Sequence, residues 1–156
     1  MRFVERTNAL GATVSVSMLN ADVLKKAATP IILCSFPHRI ARLIDNGLYA
    51  PLNLNIKLAE ALLKFPQMQR SQMANDEIMK IVAQCRTSTF LEDYEILFDP
   101  RYDIDAIRVF TELSRRQRVV VKWCGRLNGN WLEYATPEYK DFHSFRIQDY
   151  DITCFI

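Results

Sequence analysis

Two groups of side chains have the types and spacing to handle a phosphate. The first is Ser35-Phe36-Pro37-His38-Arg39-Ile40-Ala41-Arg42. It overlaps the end of the apolar run Ile31 to Phe36 and leads into Ile40, Leu43 and Ile44, which repeat at helical spacing. A buried strand, a sharp turn and an amphipathic helix are expected there, and a helix start favours an anion. A phosphate cradle at such a turn uses glycines so that backbone N–H groups can approach. Its lysine reaches the terminal phosphates, and a Ser or Thr hydroxyl holds magnesium. Residues 35–42 contain neither glycine nor lysine. Phe36 is bulky where small is needed, and Pro37 has no N–H to donate. The groups left for a nucleotide are Ser35, His38, Arg39 and Arg42, with an arginine neutralising the charge. The competing reading is a plain strand–helix turn carrying surface arginines.

The second group is Phe90-Leu91-Glu92-Asp93-Tyr94-Glu95. A carboxylate at the carboxyl end of a parallel strand can hold magnesium directly or through water, and a following acid can orient an attacking water. Glu92 takes the magnesium position and Asp93 the neighbouring catalytic one, with Glu95 two residues on. A solvated acidic turn is the alternative. Ahead of Val119-Val120-Val121 stand Arg115, Arg116 and Arg118. They can contact the phosphates of a nucleotide or nucleic acid, or a partner subunit, or simply complement a helix C-terminus. Trp123, Trp131, Tyr134, Tyr139 and Phe142 can stack bases, and equally suit a core or an interface. Neither His38 nor His143 has the Asp or Ser spacing of a hydrolytic triad.

The elements that must position these groups alternate. A helix is expected from Asn20 or Asp22 to Ala28, with Thr29-Pro30 as its stop. Pro37 suits the first turn of the helix after the Ile31 run, and Asn46-Gly47 suits its end. Leu48 to Leu54 reads as a second strand, placed at an edge by Pro51. Asn55 then caps a helix from Ile56 to Phe65, with Ile56, Ala59, Leu62 and Leu63 inside. Gln67 to Cys85 is helical, with Met68, Met73, Ile78, Ile81 and Val82 on its apolar side. Thr87 to Leu91 is a third strand, Ile104 to Gln117 an amphipathic helix, and Arg118 to Trp123 a fourth strand. Residues Gly125 to Asn130 form a turn, Trp131 to Tyr134 pairs back as a hairpin strand, Pro137 to Phe142 is irregular, and Ile147 to Phe155 closes the chain as a strand.

This alternation argues an α/β fold with a mainly parallel sheet flanked by helices and a C-terminal β-hairpin. With 156 residues, the expectation is a single domain. It divides into an N-terminal extension and helix (1–28), an α/β core (30–124) and a C-terminal hairpin and tail (125–156). Hydrophobic residues at 49% and charged residues at 24% are ordinary for a globular protein. The net charge of +2 does not demand nucleic acid. No apolar run reaches about 18 residues, so no membrane helix is expected. Met1 to Leu10 lacks the apolar core of a signal peptide, which makes a cytoplasmic location the expectation. The four cysteines show no C-x-x-C spacing, which argues against structural zinc. Cys34 and Cys124 read as small buried hydrophobes.

Leu52 to Leu63, Leu91 to Pro100, Leu113 to Gly125 and Leu132 to Tyr139 together resemble the BrxF-like P-loop proteins of type 3 BREX phage-defence systems. The pieces Asn53-Leu54-Asn55 and Glu95-Ile96-Leu97-Phe98-Asp99-Pro100 are the more specific ones. The resemblance implies a small P-loop NTPase fold of the AAA-like, ASCE type, with the acid strand third and the Trp-bearing strand fourth. Members carry an intact Gly-rich Lys-Ser/Thr loop. This chain departs at Ser35 to Ala41, a degenerate Walker A, and Glu92 replaces the Walker B-like Asp. The implied role is a component of a bacterial antiviral defence assembly that is non-catalytic or weakly nucleotide-binding, with Mg-ATP as the ligand. Its partners would be other proteins of the system, with homo-oligomers included. The alternatives are an active small ATPase in which Arg39 or Arg42 replaces the lysine, and a nucleic-acid-binding adaptor using Arg115, Arg116, Arg118 and Trp123.

Overall fold

A computed structural model of the chain describes residues 10–45 and 48–156. Ala12–Val14 forms a short strand, β1. After a 3₁₀ turn at Val16–Met18, helix α1 runs over Ala21–Lys26 and is capped by the Asn20 side chain, which accepts from the Val23 N–H. Strand β2 is Ile31–Leu33, with all three residues buried, shorter than the apolar run suggested. Helix α2 spans His38–Asp45; the expected stop at Asn46-Gly47 lies outside the described residues.

Strand β3 is Ala50–Asn53, and helix α3 follows at once over Leu54–Leu63. Its cap is Asn53, whose Oδ1 accepts from the Ile56 N–H at 3.1 Å, so the expected cap at Asn55 is corrected. The helix therefore starts two residues early, and the face it buries differs from the expected one. Leu54, Leu58 and Leu62 are buried, while Ile56 and Leu63 are exposed. Helix α4 covers Gln67–Gln84, with Ala74, Ile78, Ile81 and Val82 inside and Met68 in solvent.

Strand β4 is Thr89–Asp93, α5 is Ala106–Ser114 and β5 is Val119–Lys122. Residues 125–146 hold three antiparallel strands, β6 (Arg126–Asn128), β7 (Trp131–Tyr134) and β8 (His143–Arg146). Strand β9 is Thr153–Phe155.

Six strands form one parallel sheet in the order β1-β9-β2-β5-β4-β3. The first and last strands thus enter the same sheet as the central segments: β9 lies between β1 and β2. Side chains alternate between its faces, as a strand requires. Ile31, Leu33, Phe90, Val120 and Phe155 pack against Leu19, Leu24, Ile40 and Ile44 of the α1–α2 side. Ile32, Leu91, Val119, Val121 and Cys154 face the layer built by α3, α4, α5 and the small sheet, which contributes Leu132 and Phe145. Helices on both faces explain why the central strands read as continuous apolar runs.

Candidate functional site at the carboxyl ends of the parallel strands

Ligands of open parallel sheets bind outside the carboxyl ends of the strands. Here that edge is made by β2, β5, β4 and the turns that follow them. Leu33 of β2 lies opposite Lys122 of β5. Backbone bonds fix the exit of β2: Cys34 N–H donates to the Phe155 carbonyl and Trp123 N–H to the Leu33 carbonyl, both at 2.9 Å.

The turn after β2 is filled by its own side chain. The Phe36 ring stacks on Phe90 with centroids 5.9 Å apart and planes at 11°. Lys122 Nζ sits 4.7 Å from the Phe36 ring centre, within reach for a cation–π contact. Ser35 is half-buried beside it, and His38 is exposed at the first position of α2. Arg39 turns away: its guanidinium donates to the carbonyls of Leu19 at 2.7 Å and Val16 at 2.9 Å. It pins the segment between β1 and α1 to the start of α2. Arg42 is exposed and lies in the last turn of α2, where a cation suits the helix dipole.

The acids lie on β4. Leu52 pairs with Leu91 and Asn53 with Asp93, so the ladder skips Glu92. An extra residue of this kind bends a strand and re-aims its side chain. Glu92 and Asp93 are exposed as the last two residues of the strand, not part of a turn after it. Asn53 Nδ2 is 3.5 Å from Asp93 Oδ2. Glu95 serves a local contact, accepting from Asn55 Nδ2 at 2.6 Å, while Asn55 Oδ1 accepts from the Ile96 N–H. That joins α3 to the 3₁₀ segment Glu95–Phe98. Among the described residues no group of three or more His, Cys, Asp or Glu is placed to hold a metal ion. Magnesium is commonly held by one or two carboxylates with water and phosphate, so Glu92 and Asp93 fit that smaller demand.

Tyr94 fixes the end of β5. Its hydroxyl donates to the Lys122 carbonyl at 2.7 Å and accepts from the Cys124 N–H at 2.9 Å. The ring is fully buried against Phe98, Phe110 and Trp123. Burial drives its hydroxyl well above the ordinary tyrosine range and pushes the Cys124 thiol up to about 11. On the other flank, the neighbouring Cys154 thiol lowers the pKa of Cys34, while Cys34 and burial raise that of Cys154.

The arginines after α5 are elsewhere. Arg115 caps the helix and pairs with Glu112 at 3.1 Å. Arg116 and Arg118 are exposed just before β5, at the amino ends of the strands. The fold therefore separates Arg115, Arg116 and Arg118 from Glu92 and Asp93. Trp123 is buried and donates its Nε1–H to the Arg126 carbonyl. Tyr134 stacks on Phe98 at 4.0 Å, and Phe142 is half-buried. Trp131 and Tyr139 stay exposed. Of five cavities of about 310 to 610 Å³ among the described residues, none is lined by Ser35, His38, Arg39, Arg42, Glu92 or Asp93.

Sequence reading missed Lys122, Asn53 and Tyr94 as shapers of this edge. Lys122 had a usable signal: it is the one charged residue ending an all-valine run, hence at the carboxyl end of a buried strand. Comparison of the chain with protein-family models, with curated proteins and with solved structures returns no match.

Proposed function

We propose that the chain is a P-loop-fold component of a bacterial phage-defence system of the BREX type, acting through contacts with other proteins and not by turning over ATP. The strand order supports the fold part of this reading. Counted from β2, the acid strand β4 is third and β5, which leads into Trp123, is fourth. β5 is inserted between β2 and β4, as the additional strand of an ASCE-type sheet would be.

The observation that carries the non-catalytic part is the Phe36 ring, packed between Phe90 and Lys122 in the turn where phosphates would lie. Arg39, the substitute for a missing lysine, has two of its nitrogens committed to backbone carbonyls. An arginine is in any case a poor replacement for a compact ammonium. Contact with partners is supported by apolar side chains left in solvent on α3 and α4: Ile56 at 55%, Leu63 at 68% and Met68 at 91% exposure. Exposed apolar groups of this kind mark interaction surfaces when they gather.

Co-purification with the proteins encoded beside it tests the reading. A stable complex is expected, and it should weaken in an Ile56→Asp/Leu63→Asp variant that melts like the wild type. A chain that stays alone with every neighbour product contradicts it.

A further inference from the structure

We propose that the open edge of β1 pairs with β1 of a second copy of this chain, antiparallel across a two-fold axis at Thr13, so that two six-stranded sheets become one. The inference uses only the sheet order and the backbone of residues 10–16. It goes beyond the proposed function and stands or falls separately from it.

The backbone bonds of this segment alternate in direction. Leu10 N–H donates to the Gln148 carbonyl, Ala12 N–H to Ile152 and Val16 N–H to Ile156, while the Val14 carbonyl accepts from the Ile156 N–H. The even-numbered residues thus face β9 and the segment before it. The odd-numbered ones turn their N–H and C=O groups to the opposite side, as extended chain requires. Among the described residues no strand lies beyond β1 on that side, and Ala12 and Thr13 are exposed. A row of unpaired donors and acceptors of this kind is a template for another strand.

The far edge of the sheet is treated differently. There β3 carries Pro51 within its four residues, and a proline blocks edge pairing. Residues 10–19 hold no proline and no charged side chain, so nothing on β1 blocks or repels an approaching strand.

The register argues that the approaching strand is β1 itself. A two-fold axis at Thr13 sets Thr13 opposite Thr13 of the second copy and Gly11 opposite Ser15. These are the residues whose backbone groups point outward. The Thr13 pair can exchange two hydrogen bonds, and the Ser15 N–H faces the Gly11 carbonyl. Between them Ala12 meets Val14, and Leu10 meets Val16. Val14 and Val16 already pack against the smaller core cluster. Alternation puts Ala12 and Leu10, which is 62% exposed, on the same face. Apolar side chains therefore oppose apolar ones, polar oppose polar, and no like charges meet. A two-fold interface requires this self-complementarity, and Thr–Thr is a favourable cross-strand pair. The patch is small, so a weak, concentration-dependent dimer is expected.

Sedimentation equilibrium of the full chain over a range of concentrations tests this. The average mass should rise from the 18.2 kDa of one chain toward twice that value. Thr13→Pro removes the outward N–H and leaves the bonds to β9 untouched. It should weaken the dimer about tenfold by taking one hydrogen bond from each copy. Thr13→Lys sets two like charges face to face and should weaken it too, which decides the matter if the proline variant does not fold. Oxidised glutathione acting on Thr13→Cys and Ser15→Cys reads the register. Residues of a hydrogen-bonded antiparallel pair have Cα atoms about 5.5 Å apart, within disulfide reach. Thr13→Cys should therefore link two copies, and Ser15→Cys, two residues off the axis, should not. A wild type that stays monomeric at every concentration overturns the proposal. So does a dimer that neither Thr13→Pro nor Thr13→Lys weakens, or one that cross-links as readily at Ser15 as at Thr13. Loss of the dimer in Ile56→Asp/Leu63→Asp would place the interface on α3 and overturn it as well.

Discussion

Tyr94 contributes more to the shape of the strand-end site than either acid beside it. Its hydroxyl, on a fully buried ring, satisfies the Lys122 carbonyl and the Cys124 N–H at a part-buried position. Tyr94→Phe keeps the ring stack and strands both backbone groups, so urea unfolding at neutral pH should show a loss of about 1–3 kcal/mol. Burial raises this tyrosine's pKa in the folded state, so the unfolded chain gives up the proton first as pH rises. The sign follows: the contribution is intact below the unfolded value of about 10 and declines above it. Wild-type stability should fall from about pH 10 upward, and Tyr94→Phe should fall less steeply. Parallel curves would contradict this. Arg39 makes the complementary case. Arg39→Ala should cost about 1 kcal/mol by releasing the Val16 and Leu19 carbonyls, read by urea unfolding; an unchanged stability would show that this tie contributes nothing.

At the level of elements, α3 shows how a local choice sets a face. Asn53 and Asn55 are both competent caps. The structure uses Asn53, freeing Asn55 to bridge to Glu95 and the Ile96 N–H. Asn53→Ala should lower stability by about 1 kcal/mol through the lost cap, measured by thermal or urea unfolding. A neutral substitution would show that the Asn53 cap contributes nothing. With Leu54 inside the helix, Leu54, Leu58 and Leu62 form the i, i+4, i+8 stripe that is buried, and Ile56 and Leu63, expected inside, lie off it. Elements with sustained apolar periodicity, α2, α4, α5, β2 and β5, were legible. Strands β1, β6 and β8 were not. Each has three or four residues without a buried apolar run; β1 depends on the distant β9, and β6 and β8 form by pairing with the neighbouring β7. The tail strand was expected, but its place between β1 and β2 is a long-range pairing that no local pattern encodes.

For the whole molecule, the sequence showed that residues 35–42 lacked the parts of a phosphate cradle, and it put Glu92 and Asp93 at a strand end. It did not show where Phe36 goes, that Arg39 is used to tie α2 to the segment before α1, or that Lys122 arrives from the next strand. Those facts depend on strand order, which brings residues 36, 90 and 122 together from three separate segments. The central claim is that this arrangement sits on a P-loop-type sheet without ATP turnover. Phosphate release from Mg-ATP by the purified full chain, beside Glu92→Gln, tests it most directly. Release no faster than in protein-free buffer is expected, with the variant indistinguishable from the wild type. Sustained turnover that Glu92→Gln removes would contradict it.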